Sequence, residues 1–494
     1  MGARKKINAA RALVQEWIES GETVYGITTG FGEFANVRIN KKDTEKLQEN
    51  LILSHAAGAG DPLPTEIVRA MMVLRINAVA TGYSGLRLRT VNLLKEMLNK
   101  NLLPVIPSQG SVGASGDLVQ LAHLVLAMMG KGRVYGSHKG RVVTTRILNA
   151  GVALRRYGMK PVRLTAKEGL ALINGTQMMT AYAALAVQHA RALAGIADIA
   201  AAMSVEALRG SETPFDERIH KLRPYEGQKN VASNLRRMMA GSDLRESHRF
   251  DDPRVQDAYS MRCIPQVHGA SRDAIDYVYD KVSIEINCAN DNPLIFPRDK
   301  VHLEGGNFHG QPMALAMDFL AIALSELANI SERRIERLVN GSLSGLPKFL
   351  TEKGGLNSGL MIAQYTAASL VSENKVLSHP ASVDSIPTSA NQEDHNSMGS
   401  VSAQKVWRVL KNVQAVLAIE LLCASQGLDF AKSLNSRSPM KAGKGTEAAH
   451  RHVRKFVKHL DDDRILYDDI QKSLALVLDG SLTRNVENAI GTLN

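Results

Sequence analysis

MMTAYAALAVQHARALAGIADIAAAMSVEALR, residues 178–209, is the stretch that decides the fold. It is rich in Ala, the best helix former, holds few breakers, and stops at Gly210, a residue suited to a left-handed cap. Two further stretches extend the reading. From Pro312 to Asn340 the first half is apolar on nearly all sides, while Glu332, Arg333, Arg334, Glu336 and Arg337 make the second half polar. From about Gln404 to Ser425, Val406, Leu410, Val413, Leu417, Leu421 and Ala424 recur at mixed three- and four-residue spacing. Long helices with apolar faces this wide predict a bundle, and such faces often continue into a subunit interface. A large monomeric bundle is the alternative. Strand signals are few and short, as at Arg141–Thr145 and Leu294–Phe296. The expected fold class is mainly α, with a smaller mixed N-terminal region (1–172), a central long-helix bundle (173–435) and a C-terminal helical region (436–494).

At 494 residues the chain exceeds the size at which one core usually stops growing. Hydrophobic residues make up 44% and charged residues 22%, which argues against long disorder or a fibrous repeat. The net charge of +11 would draw anionic partners, but the basic residues are scattered. Only 5% of residues are aromatic, without the interleaved Arg and aromatic ladder that grips single strands, so no nucleic-acid partner is expected. Cys263, Cys288 and Cys423 lie far apart, lack CxxC spacing and are odd in number; they read as reduced and buried. Met1–Lys6 is basic without a following apolar segment, and Lys6 stands where a myristoylation signal wants Ser or Thr. Met313–Leu324, the most apolar run, is short for a bilayer and broken by Asp318. The expectation is a soluble, cytoplasmic chain with no membrane partner.

Gly, Pro and Ser cluster at Gly26–Gly32, Pro104–Gly116, Glu304–Gln311 and His379–Asn396, and loops of this kind carry function more often than cores do. GSVGASGD, residues 110–117, opens a helix expected from about Leu118 to Met129. It lacks the Lys and Ser or Thr of a phosphate-binding Walker loop, and no Rossmann-type strand precedes it. The alternative is autocatalytic cyclisation, in which the Gly116 nitrogen attacks the Ala114 carbonyl and Ser115 loses water to become an exocyclic methylene. Gly116 suits this because a residue without Cβ permits close approach and unusual φ. Ala, Ser and Gly are too common for the tripeptide to decide alone. Glu393, Asp394 and His395 in a row suggest a metal, but adjacent loop residues seldom converge on one ion and no second cluster completes a shell, so no metal is expected.

Context comes from seven ordered blocks. These are Tyr25–Gly32 (YGITTGFG), Leu51–Gly58 (LILSHAAG), the Gly113–Asp117 loop, Lys167–Thr176 (KEGLALINGT), Val255–Cys263 (VQDAYSMRC), Gly305–Gly310 (GGNFHG) and Thr388–His395 (TSANQEDH). Over about Thr23–Gln426 the chain resembles the enzymes bearing a methylidene-imidazolone (MIO) prosthetic group: histidine, tyrosine and phenylalanine ammonia-lyases and the related aminomutases. The resemblance implies a homotetramer of long helices whose active sites each draw on three subunits, with the MIO group formed from Ala114, Ser115 and Gly116 and no external cofactor.

It also implies roles. Ser115 supplies the methylene that the substrate amine attacks. Tyr25 resembles the family's base for the β-proton, although a phenol titrating near 10 must be lowered by nearby positive charge or donors to act at neutrality. Arg262 would grip the substrate carboxylate through a planar fork. Tyr259, at i and i+3 from Arg262 on one helix face, is the second catalytic Tyr. Asn174 and Gln256 resemble residues that hold the substrate through amide bonds, and Phe308 resembles one packing beside the prosthetic group. Without the resemblance these would read as a core Tyr, a solvated helix Arg, a turn Asn, a surface Gln and a core Phe.

Substrate choice rests on Ser54-His55 and Glu393. Phenylalanine-type members carry Phe-Leu and tyrosine-type members His-Leu at the first pair, whereas Ser-His resembles the histidine enzymes. An apolar wall would leave imidazole nitrogens unpaired, at roughly 1–3 kcal/mol each, while His55 and Glu393 can pair with them. Glu393 stands where phenylalanine members and tyrosine aminomutases usually have Gln. Elimination of ammonia from histidine to give urocanate, in histidine breakdown, is thus the leading expectation. A tyrosine or phenylalanine aminomutase or ammonia-lyase is second, and a noncatalytic basic helical scaffold third. Thr28 departs from the Asn usual in histidine members and, with Glu33, resembles the tyrosine aminomutases. Gln120 departs from the usual Pro. Tyr25 lies closer to the start than in most relatives, which predicts a shortened preceding segment and a looser loop.

Overall fold

The computed structural model describes residues 2–40, 42–138, 141–250, 252, 254–434 and 439–494. Helices dominate, and the described strands form three two-stranded antiparallel sheets. The mainly α expectation therefore holds. The helix expected over 178–209 spans Gln177–Ala207, that over 312–340 spans Gln311–Val339, and the third is longer than its periodic stretch, at Gly399–Ser433. The short strands appear within Arg133–His138 paired to Arg141–Asn149, and Leu294–Phe296 paired to Val301–Leu303. Two details differ. Arg209, not Gly210, takes the left-handed conformation (φ 50°), because the helix closes one residue early and Gly210 N–H returns to Val205 O at 2.7 Å. Only Cys423 is buried; Cys263 and Cys288 are partly exposed, and all three are free.

The chain forms two compact units, each assembled from three stretches of sequence. The first comprises 1–185, 279–318 and 380–404. Its opening helix, Ala3–Ser20, turns Ala10, Leu13, Val14 and Trp17 inward at the 3.6-residue period, onto Val24, Ile27, Ala166 and Ile295. Gly21 ends that helix in the left-handed region (φ 72°). Val24 and Ile27 flank Tyr25, so this small core seats its loop. Asp318, which interrupts the apolar run, is buried with Ala381 N, Ser382 N and Ser402 Oγ donating to its carboxylate.

The second unit comprises 186–278, 319–379 and 405–494. Its interior carries charges held in paired clusters, as low-dielectric burial favours. Glu420 accepts both Arg334 Nε (2.5 Å) and Nη2 (2.9 Å) together with the hydroxyls of Ser204 and Ser331. Asp198 accepts from His268, Arg272 and Asn234. Gln311–Val339 and Gly399–Ser433 are long and apolar enough to cross a membrane by length and composition, yet their most apolar windows are 67% and 83% buried within the protein, the pattern of core helices.

Candidate active site

The Ala114-Ser115-Gly116 loop is held from both sides. On one, Ser397 Oγ donates to Gly113 O (3.3 Å) and Met398 N to Val112 O (2.8 Å). On the other, Asp117 N donates to Gly175 O (2.7 Å) and Gly175 N to Ser115 O (3.2 Å). Gly116 has φ 78°, and a Cβ there would overlap the Gly175 carbonyl oxygen, so only glycine fits. Asp117 starts the following helix, Leu118–Met128, and is wholly buried. Its carboxylate accepts from Met178 N (2.7 Å), Met179 N (3.0 Å) and Ser400 Oγ (3.1 Å). Burial pushes this carboxyl up to about 7, against the pull of those donors.

Ala114 and Ser115 wall a cavity of about 470 Å³ together with Tyr25, Asn174, Phe308 and Glu393. That volume is in the range of small-ligand sites. Six of the expected site residues thus meet in the first unit. Gly116 is buried in its bridge to Gly175. His55 is not among the lining residues; it closes the helix Thr44–His55, with Ser54 Oγ 3.0 Å from its Nδ1. Burial lowers the His55 imidazole, opposed by the Leu51 carbonyl and by the charge of Glu393.

Asn174 ends the short helix Glu168–Ile173. Its Nδ2 donates to Asn292 O (3.3 Å), while its Oδ1 is buried with no hydrogen-bond partner, an acceptor left for a ligand. Two buried cations brace this segment. Arg75 donates to the carbonyls of Asn174 and Ala171, and burial brings its guanidinium down to about 10. Lys167 Nζ donates to Asp291 (2.9 Å) and Asn292 O (3.1 Å), and burial lowers it too. The Gly-rich loop, the orphaned amide oxygen and the free cavity beside Ser115 fit a prosthetic group made from residues 114–116.

Tyr25 departs from the expected chemistry. Gly32 N donates to its Oη (3.2 Å), yet burial raises the phenol above its usual value, and Glu393 and Glu304 push it further. The sequence predicts positive charge or donors here; Gly32 N is such a donor, but the charged residues of this cavity's lining are acids, Glu304, Glu393 and Asp394, beside the imidazoles of His309 and His395. Those two rings lie 5.6 Å apart, with His309 Nε2 3.1 Å from His395 O. Glu304, His309 and His395 were missed as lining residues; the Gly-Gly after Glu304 marked a loop but not its direction. Thr388 Oγ1 donates to Glu393 (2.7 Å) and aims that carboxylate. Among the described residues no cluster of three or more metal-binding side chains forms.

Gln256, Tyr259 and Arg262 lie in the second unit. Gln256 and Arg262 line a separate cavity of about 420 Å³ with Ser211, Asp257 and Gln266. Arg262 sits over the Tyr259 ring at 4.5 Å, so the i, i+3 pairing holds on the helix Tyr259–Arg262. Tyr259 is 70% exposed, and Arg262 Nε is buried without a partner. Thr28, which resembled an aminomutase feature, is absent from the Tyr25 cavity lining; its hydroxyl accepts from Val24 N (2.9 Å) and donates to Glu22 O (2.8 Å). It shapes the Tyr25 loop rather than facing a ligand.

A helical scaffold whose loops bring a cyclisable tripeptide, a phenol and an orphaned amide to one cavity defines an enzyme of the amino-acid lyase kind. Residues 1–455 match the aromatic amino acid lyase family, and the chain belongs to that family, whose members depend on the MIO group. It is 57% identical to a histidine ammonia-lyase of Caldanaerobacter subterraneus subsp. tengcongensis, over 97% of this chain and 92% of that one. The crystal structure of histidine ammonia-lyase from Trypanosoma cruzi is similar at TM-score 0.89 and 46% identity, covering 99% of this chain and 90% of the other. Tyrosine aminomutase from Streptomyces globisporus is similar at TM-score 0.89 and 37% identity, with 99% and 94% covered.

Proposed function

We propose that this chain eliminates ammonia from L-histidine to give urocanate, using an MIO group made from its own Ala114, Ser115 and Gly116. The observation that carries this reading is the cavity in which Ser115, Tyr25, Asn174 and Glu393 meet. In formation of the group, the Gly116 nitrogen bonds to the Ala114 carbonyl carbon, whose oxygen leaves as water with the Gly116 and Ser115 N–H hydrogens as a double bond forms from that carbon to the Ser115 nitrogen; the Ser115 hydroxyl and Cα proton leave as a second water. Asp117 and Gly175 hold the reacting atoms in register. The group supplies an electron-poor exocyclic carbon at the former Ser115 Cβ.

The other residues bind and move protons. Asn174 Oδ1 accepts from the substrate amine. Glu393, with one oxygen engaged by Thr388, offers the other to an imidazole N–H, and His55 stands in reserve for the second ring nitrogen. Tyr25 Oη takes the proton from the substrate β-carbon. Arg262 binds the carboxylate through a fork with its free Nε, stacked on Tyr259, and Gln256 adds an amide contact. Phe308 packs beside the ring. Because the Tyr25 cavity wall contains acids, the reading needs Arg262, Tyr259 and Gln256 to arrive from neighbouring copies in a homotetramer. That charge would also bring the Tyr25 phenol down. Relatives named for histidine support the substrate, as does Glu393.

The test offers purified protein histidine, tyrosine and phenylalanine in parallel, following the near-ultraviolet absorbance of the unsaturated acids and free ammonium, with Ser115→Ala as blank. Urocanate and ammonium from histidine alone, absent in the variant, are expected. Consumption of tyrosine or phenylalanine with a β-amino acid product would replace this reading with an aminomutase.

A further inference from the structure

Gln120 stands where the family usually has proline, in the first turn of the helix that follows the cyclising loop. Its side chain is fully buried and both ends of its amide are engaged. Gln120 Nε2 donates to Ser108 O (3.0 Å), and Ser111 Oγ donates to Gln120 Oε1 (2.6 Å). The same hydroxyl accepts from Val119 N (3.1 Å). Gln404 Nε2 donates to Ser108 O as well (2.8 Å), which anchors the strand Pro107–Gln109. The residues before the loop, 108 and 111, are thereby stapled to the residues after it, 119 and 120.

We infer that Gln120, with Ser111, is a positioning residue for the maturation of this enzyme: it closes the neck of the 112–118 loop and so holds Ala114 and Gly116 where they can cyclise. The inference rests on the chemistry proposed above. A proline ring at 120 would stiffen this turn covalently by fixing φ, but it offers none of these bonds. Here the stiffness is supplied by a buried amide instead. Pinning a loop at its neck removes conformers in which the Gly116 nitrogen and Ala114 carbonyl lie apart, and intramolecular reactions gain steeply from such restriction. The staple acts once in the life of each chain, on ring closure, and touches neither Tyr25 nor Glu393.

The experiment follows newly synthesised full-length chains from cell-free translation by intact mass, timing the loss of two waters, alongside thermal melting and turnover per matured site. Gln120→Met and Ser111→Ala are each expected to slow water loss about tenfold. The double variant should be slower than either, but by less than the product of the two effects, since the residues share the Ser111–Gln120 bond while each keeps one bond of its own. Ser111→Thr, which keeps the hydroxyl, should recover most of the rate. Turnover per matured site should stay at the wild-type level in every variant. A Gln120→Met chain that melts cooperatively and sheds its waters at the wild-type rate overturns the inference; should that variant not fold, Ser111→Ala carries the same test. A wild-type chain that keeps both waters overturns the proposed chemistry itself, a distinct result visible before any variant is made.

Discussion

The two loops that supply the cavity's reactive groups are built on opposite plans. The Ala114-Ser115-Gly116 loop is bonded to segments far away in sequence, at 175–179 and 397–400, which hold backbone atoms of Val112, Gly113, Ser115 and Asp117 and the Asp117 carboxylate. The Tyr25 loop is bonded chiefly to itself: Thr28 to Val24 and Glu22, Gly26 N to Thr29 Oγ1, Gly30 N to Val37 O, and Gly32 N to the Tyr25 hydroxyl. It rests on the chain through Val24 and Ile27 in an apolar patch. A ring closure between main-chain atoms demands a fixed frame. On the proposed chemistry, a proton acceptor that meets each new substrate is served by a self-contained piece seated on an apolar surface.

The contrast is broken most severely at Gly116. With no room beside Gly175 O, Gly116→Ala should give a chain that retains both waters and turns over no substrate, as intact mass and ammonium release will show. Next comes the charge that the Tyr25 cavity lacks. Arg262→Lys loses the planar fork and is expected to lower kcat/KM about a hundredfold, with the loss of two waters on maturation unchanged. Co-expression with an inactive Tyr25→Phe chain should restore part of the activity if the two residues serve one site from different copies, and restoration that never exceeds the sum of the parents would refute the shared site.

Thr28→Val removes two internal bonds of the Tyr25 loop. Maturation should be untouched, while kcat falls by roughly three- to tenfold; a delayed loss of water instead would mean that the two loops are not independent. The smallest effect lies in pH. Tyr25 is raised by burial and then by Glu393 and Glu304, so Glu304→Gln removes one disfavouring charge and lowers the phenol. The alkaline rise in kcat/KM should then move to lower pH by about half a unit; a shift to higher pH would exclude Tyr25 as the group whose deprotonation is measured.

The long helices were legible because apolar positions at three- and four-residue spacing leave few alternatives, and even then the cap at Arg209 fell one residue from the glycine that advertised it. The tripeptide, Tyr25, Asn174 and Glu393 were legible through their motifs. What remained hidden depended on pairing across large separations. Lys167 reads as a surface lysine until Asp291, 124 residues on, is seen to neutralise it in the interior. Glu304 carries no local signal, because a glutamate before two glycines has no preferred direction. Within one chain the Tyr25 phenol is raised by burial, against the Gly32 N–H bond, and raised further by the carboxylates of Glu393 and Glu304 from loops far away in sequence, which no local pattern encodes.

The clamps on the cyclising loop carry a consequence for biosynthesis. Ser397 and Ser400 lie 284 and 283 residues beyond the backbone and side chain they hold. Until those residues are made, the tripeptide lacks two of the clamps that the proposed ring closure relies on. Chains truncated before Ser397 should keep the mass of the unreacted tripeptide indefinitely. On the proposed chemistry the ring can close only once residues 397–400 have been made and folded back onto the loop.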